Sequence, residues 1–262
     1  MHVTILGCGA SAGVPRIGGA DGTGDWGVCD PTEPRNRRTR SSIVIDRAGQ
    51  RLLVDTSPDM RTQLLACAIP SIHAVLFTHS HADHIIGLDD VRILNRIVNR
   101  PLEAFARVET LADLKIRFNY AFEPWRPPGF FRPVMTPRPV VPGERVEMAG
   151  MDVALFEQDH GGPKTLGCRI GAFAYSTDVV MLDDRAFDIL AGVDTWVVGC
   201  FQRETHRTHA SINSVIEWSR RIGARRTVLT HMGTDLDWNW MQANLPGGIA
   251  PGQDGLVLEI PD

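Results

Sequence analysis

The sequence predicts a layered α/β (α+β) fold in a single domain covering residues 1–262, and three observations support this. Short β-branched runs recur along the whole chain, helical patterns fall between some of them, and no repeat or flexible linker interrupts the series. Because the strand runs cluster and do not alternate strictly with helices, a mixed layered architecture is expected in place of a doubly wound parallel sheet.

The strand runs are, in order, Val3–Leu6, Ser42–Asp46, Leu52–Asp55, Ala74–Thr78, Val153–Phe156, Ala172–Thr177, Thr195–Gly199, Thr227–Thr230 and Leu256–Ile260. Each is bounded by Gly, Pro or charged residues, as strand ends are. Helical spacing appears over Asp59–Ala66, Ile85–Val98, Thr110–Arg117, Asp184–Leu190 and Ser211–Ile222. The last carries Ile212, Val215, Ile216 and Ile222 on one face, with Ser211 at the N-cap position and Gly223 just past the end. Pro124 to Pro142 holds seven prolines, a load that excludes regular helix or central strand. With Tyr120, Phe122, Trp125, Phe130 and Phe131 beside it, this stretch reads as an aromatic loop that either packs over the core edge or closes over a substrate.

Composition narrows the function classes. An apolar fraction of 43% and a charged fraction of 22% are ordinary for a globular protein. A net charge of -4 gives no global basic field for a nucleic-acid polymer. No apolar run is long enough to span a bilayer, and Met1 to Gly7 lacks the basic n-region of a signal peptide. The five cysteines, Cys8, Cys29, Cys67, Cys168 and Cys200, are scattered without a C-x-x-C, which argues against a disulfide framework or a cysteine zinc cluster. A reduced, cytoplasmic setting is the expectation.

Chemistry concentrates in Leu76-Phe77-Thr78-His79-Ser80-His81-Ala82-Asp83-His84, where a strand ends and a helix opens. His79 and His81 are two apart, so in extended backbone both leave the same face and can reach one metal. Asp83 and His84 lie where the chain turns, point elsewhere and can serve a second metal. A lone histidine is usually a satisfied core or surface group, but this density of imidazole and carboxylate points to metal. Further candidate ligands follow other strands: His160 after Val153–Phe156, Asp178 after Ala172–Thr177, and His231 after Thr227–Thr230. Singly, each has a structural explanation, such as a turn cap for Asp178.

His79-Ser80-His81-Ala82-Asp83-His84 resembles the H-x-H-x-D-H signature of the metallo-β-lactamase superfamily, and His160, Asp178 and His231 follow in the order that superfamily uses. The resemblance implies an αββα sandwich. It also implies two divalent ions, Mn2+ or Zn2+, one held by His79, His81 and His160 and the other by Asp83, His84 and His231, with Asp178 bridging. Asp55 resembles the family's early buried aspartate, a supporting group. The opening Gly7-Cys8-Gly9-Ala10-Ser11-Ala12-Gly13-Val14-Pro15 is similar to the start of phosphodiesterases in this superfamily, including those acting on phosphoribosyl 1,2-cyclic phosphate in the carbon–phosphorus lyase pathway. Thr208-His209-Ala210-Ser211 and the closing Asp254-Gly255-Leu256-Val257-Leu258-Glu259 are similar too. The departure is Gly18–Asp30, where Cys29 stands alone and the cysteine cluster for a structural zinc is missing.

The implied reaction is hydrolysis of a small phosphodiester, a cyclic ribose or nucleotide phosphate, by a water that two metals acidify. His209 is expected at the mouth of the late helix, where as an imidazolium it would stabilise the transition state or protonate the leaving oxygen. Asp83 is placed with it among the catalytic groups, and Ser11 and His209 among those touching substrate. His206 reads as solvent-facing, and His73 and His2 as structural. The implied partners are a small phosphodiester or nucleotide and, at most, a second copy of the chain, with no nucleic-acid polymer or membrane. Competing readings are a tRNA 3′-processing nuclease, another hydrolase on the same core, and a metal- or nucleotide-binding protein without turnover. Only two lysines, Lys115 and Lys164, and otherwise dispersed arginines speak against the nuclease; the one local cluster, Arg35, Arg37, Arg38 and Arg40, either binds a single phosphate or is simply solvated.

Overall fold

In the computed structural model, which describes residues 1–261, the strand runs pair into two seven-stranded sheets. The first contains β1 (His2–Gly7), β2 (Ser42–Arg47), β3 (Gln50–Val54), β4 (Ala74–Leu76), β5 (Leu102–Ala106), β6 (Met135–Pro139) and β14 (Val257–Glu259), in the order β14-β1-β2-β3-β4-β5-β6. The second contains β7 (Arg145–Met148), β8 (Met151–Asp159), β9 (Lys164–Ile170), β10 (Phe173–Ser176), β11 (Thr195–Gly199), β12 (Arg226–Thr230) and β13 (Ile249–Pro251), in the order β13-β12-β11-β10-β9-β8-β7. Each sheet is antiparallel through one half and parallel through the other.

Alternation along the strands sets the layers. In β2 and β3, Ile43, Ile45, Leu52 and Val54 enter the core between the sheets, while Val44 and Leu53 enter a second core on the opposite face. That outer face is covered by α1 (Met60–Ala66), α3 (Val91–Val98) and α4 (Val108–Arg117), through Leu64, Leu94, Leu111 and Leu114 among others. Helices α5 (Asp184–Leu190), α6 (Ile212–Ile222) and α7 (Trp238–Asn244) join the main core through Phe187, Val215 and Met241. The result is the expected αββα sandwich.

Two differences from the sequence reading have local causes. The helix expected over Ile85–Val98 is broken into α2 (Ala82–Ile85), a 3-10 turn over Ile86–Asp90, and α3. The break is a crossing of chains: Thr56 N–H donates to His84 O, the Thr56 hydroxyl to Ile85 O, and Gly87 N–H to Thr56 O. Only glycine fits at position 87, because a Cβ there would collide with Ser57 O. Secondly, the proline-rich stretch contains β6, with Pro137 and Pro139 in register with Ala104 and Ala106; it is the edge strand, where a missing N–H leaves no central ladder bond open. Of the two readings open for the aromatic loop, packing over the core edge describes this structure: the loop packs on itself and, through Tyr120 and Phe122, against the outer core. Trp125 stacks on Phe130 at 4.4 Å, Trp125 Nε1–H donates to Gly129 O, and Tyr120 donates to Asp89.

No helix among the described residues is long and apolar enough to cross a membrane. All five cysteines are free.

Candidate metal centre

The candidate ligands arrive at one place because each follows a strand. His79 lies three residues past β4, His160 directly follows β8, Asp178 lies two past β10, and His231 directly follows β12. Asp55, directly after β3, comes up behind them. Three of these positions, Asp55, Asp178 and His231, have left-handed backbone with φ of 64°, 52° and 52°. Such a conformation costs an L-residue about 1–2 kcal/mol and is kept where the surroundings require it. Here it turns the chain out of the strand within one residue.

The side chains form two groups that share Asp178: His79, His81, His160 and Asp178, and Asp83, His84, Asp178 and His231. Within each group the candidate donor atoms lie within 4.8 Å of one another. Asp178 Oδ2 is 3.6 Å from both His79 Nε2 and His160 Nε2, while Oδ1 is 3.3 Å from His84 Nε2 and 3.2 Å from His231 Nε2. Asp83 Oδ2 faces His84 Nε2 at 3.2 Å and His231 Nε2 at 3.4 Å. Except for His81 and Asp83, these groups are buried.

Hydrogen bonds from behind assign the tautomers. His84 Nδ1 lies 2.6 Å from Asp55 Oδ2, and His160 Nδ1 lies 2.7 Å from the Thr208 carbonyl. Both partners accept, so each Nδ1 carries a proton, and with a cation bound each Nε2 would turn its lone pair to the centre. Thr78 donates its hydroxyl to Asp55 and stands 3.0 Å from His79 Nδ1, which gives His79 the same tautomer. The Nε2 atoms of His79 and His84 are buried with no hydrogen-bond partner, which is how a metal ligand looks without its ion.

Charge makes the same case. Burial pushes the Asp178 and Asp83 carboxyls up, but the surrounding imidazoles outweigh it and hold both well below the usual range. Burial lowers His84, yet Asp178, Asp55 and Asp83 together drive it well above its ordinary value. Three carboxylates thus converge on one imidazole without any Lys or Arg lining the cavity, and a divalent cation would meet that demand. Imidazole and carboxylate donors without cysteine suit zinc and manganese alike.

Above the two groups opens a cavity of about 410 Å³ whose wall includes Ser11, Pro163, Thr208 and His209. The His209 ring lies 4.7 Å from His160 and 4.9 Å from His231, stacked on the latter. Burial first, then His231, pushes its pKa down to about 3. The imidazolium expected from the sequence is therefore not its resting form: the ring is neutral, because it is desolvated beside other imidazoles. His206, expected in solvent, instead packs against Phe201 and His209 at 4.9 and 5.3 Å. Gly161, at φ 76°, lets the loop after His160 pass under Thr208 where any Cβ would press on its backbone.

The arginine cluster does not form a phosphate site. Arg38 is buried and donates to Gly233 O, Leu236 O and Asn36 Oδ1. Arg35 stacks on Trp238, Arg37 on Trp26, and Arg40 pairs with Asp59. None of the rings of the proline-rich loop lines the cavity. Thr78 and Ser41, which hold the centre from behind, were missed in the sequence. Thr78 stands directly before His79 and could have been suspected; nothing in the sequence joins Ser41 to His231.

Two sheets, outer helices and histidine and aspartate groups at the strand ends define a metallo-β-lactamase-type fold. Residues 50–232 match the β-lactamase superfamily domain, and the chain belongs to that superfamily. A crystal structure described as a new diphosphatase from the PhnP family is 33% identical, with a TM-score of 0.89 over 99% of this chain and 98% of the other. The octanoyltransferase of Porphyromonas gingivalis is 32% identical over 99% of this chain, which spans about half (52%) of that relative's length. Coenzyme PQQ synthesis protein B of Methylorubrum extorquens is 28% identical over 85% of this chain and 88% of the relative.

Proposed function

We propose that the chain is a dinuclear-metal hydrolase of a small phosphodiester. The observation that carries this reading is the pair of ligand groups sharing Asp178 on the floor of a cavity of about 410 Å³. That volume suits a small molecule. His79, His81 and His160 would hold one ion and Asp83, His84 and His231 the other, with Asp178 serving both. Bound there, two divalent ions would acidify a water and offset the charge of the phosphoryl group.

The chain's own residues do the rest. Neutral His209 is placed to donate a hydrogen bond to a phosphoryl oxygen or to the leaving oxygen, and a bound anion would raise its proton affinity. Ser11 offers a hydroxyl to the same cavity. Asp83, half-buried at the rim of its group, is the carboxylate nearest to solvent for proton transfer. Burial around His79, His160 and Asp178 excludes competing water and strengthens these contacts.

The similar diphosphatase supports a second reading, in which the bond cleaved is a phosphoanhydride between two phosphoryl groups. The test is steady-state kinetics of the Mn2+- and Zn2+-loaded protein on a 2′,3′-cyclic nucleotide, a ribose cyclic phosphate, a linear aryl diester, a dinucleoside diphosphate and a precursor tRNA, at two salt concentrations. Turnover of the small diesters with little salt dependence is expected. Preference for the diphosphate selects the second reading, and efficient, salt-sensitive tRNA cleavage without small-diester turnover overturns both.

A further inference from the structure

His231 differs from the other buried imidazoles of the centre. His79, His84 and His160 each have Nδ1 held by Thr78, Asp55 or the Thr208 carbonyl, whereas His231 Nδ1 is buried without a partner. No hydrogen bond behind the ring fixes its direction. Its orientation depends on its backbone, held at φ 52°, and on stacking between His209 and His84.

That backbone rests on a seat made from two distant segments. His231 N–H donates to Ser41 Oγ at 3.1 Å, and Ser41 Oγ in turn donates to Gly9 O at 2.9 Å. Met232 N–H donates to Cys8 O, and Ala10 N–H to Met232 O. The strap Cys8–Ala10 thus lies between Thr39–Ser41 and His231–Met232, and it leads directly into Ser11 at the cavity wall. A single carboxylate ties the strap to the Thr39 side. Asp254 Oδ1 accepts from Cys8 N–H at 2.9 Å and Cys8 Sγ–H at 3.3 Å, and Oδ2 from Thr39 N–H at 2.7 Å and the Thr39 hydroxyl at 2.6 Å.

We infer that Asp254 is a positioning residue for His231: by clamping Cys8 to Thr39 it sets the seat that aims the one buried imidazole of the centre whose Nδ1 has no hydrogen-bond partner. This rests on reading Asp83, His84, Asp178 and His231 as a metal site. Asp254 touches no candidate ligand and lies outside the cavity lining, so it acts through the seat alone. Asparagine cannot replace it, because both carboxylate oxygens accept from a backbone N–H and an amide must turn its NH2 against one of them.

The test is titration of the metal-free full chain with Mn2+, counting free ion by EPR. Wild type is expected to bind two ions. Asp254→Asn should weaken one step about 10-fold or more, the size seen when the support behind a ligand is lost, and leave the other within about threefold. Thr39→Val, which removes one of the four donors, should weaken the same step by about threefold and carries the test if the asparagine variant does not fold. In a double-mutant cycle, Asp254→Asn should add nothing to His231→Ala. Equal weakening of both steps, or a fall in thermal midpoint with Mn2+ binding unchanged, overturns the inference. Failure of wild type to bind Mn2+ or Zn2+ would instead overturn the metal reading.

Discussion

Replacing Asp55 by asparagine tests whether the centre is held from behind. Asp55 Oδ1 accepts Thr78 N–H at 2.8 Å, while Oδ2 accepts the Thr78 hydroxyl at 2.7 Å and His84 Nδ1–H at 2.6 Å. Asparagine is nearly isosteric and tolerates the φ of 64°, so backbone strain does not enter. Its NH2 must face either Thr78 N–H or His84 Nδ1. The first choice leaves a buried N–H unpaired at a cost of about 1–3 kcal/mol. The second can be satisfied only if His84 moves its proton to Nε2, which removes the lone pair from the atom 3.3 Å from Asp178. In that orientation the second ligand group loses a member without losing a side chain. The expected loss is about 10- to 100-fold in affinity for one of the two ions. A destabilisation of about 1–3 kcal/mol would lower the thermal midpoint by about 2–4 °C per kcal/mol in a chain of this size. Metal titration gives the first quantity, scanning calorimetry of the metal-free protein the second, and imidazole nitrogen NMR the tautomer. Full metal content with unchanged kcat/KM and an Nδ1–H signal for His84 would refute the reasoning.

Asp178→Ala should remove both ions and all turnover together, because its two oxygens face both ligand groups; elemental analysis beside an activity assay checks this. His209→Ala should cut turnover about 100-fold while metal content stays unchanged, as befits a positioned group that is not a ligand. Loss of metal in that variant would place His209 among the ligands. Because the His209 pKa falls from 6.5 to about 3 on folding, the unfolded chain takes up its proton first. The stability owed to the neutral ring is present above pH 6.5 and is lost as pH falls toward 3, with a slope of at most about 1.4 kcal/mol per pH unit. Urea midpoints measured from pH 7 to 4 should therefore fall more steeply for wild type than for His209→Gln, and parallel curves would contradict the buried, neutral ring.

The sequence by itself determined the elements whose signals are local. Thr195–Gly199 and Asp184–Leu190 occupy the expected spans, and Ser211 and Gly223 cap α6 where they were expected. The ligand residues were legible for the same reason: His79, His81, Asp83 and His84 fall within one turn of chain, and the others stand at strand ends. What needed tertiary structure were features in which distant segments meet. The strand β5, Leu102-Glu103-Ala104-Phe105-Ala106, has no β-branched residue and is a strand because β4 and β6 take its hydrogen bonds. The break at Gly87 exists because Ser57 passes there. Arg38, part of a cluster that the sequence leaves as a phosphate site or solvated, is buried because three oxygens, two of them carbonyls beyond residue 230, receive its guanidinium. His209 is neutral because the fold packs it between other imidazoles, and Asp254 bears on His231 only through a strap closed by contacts more than 180 residues apart. Helical and strand periodicity and a dense motif are properties of adjacent residues. Desolvation, tautomer and the aim of a side chain belong to what surrounds it, and that is decided when the sheets close.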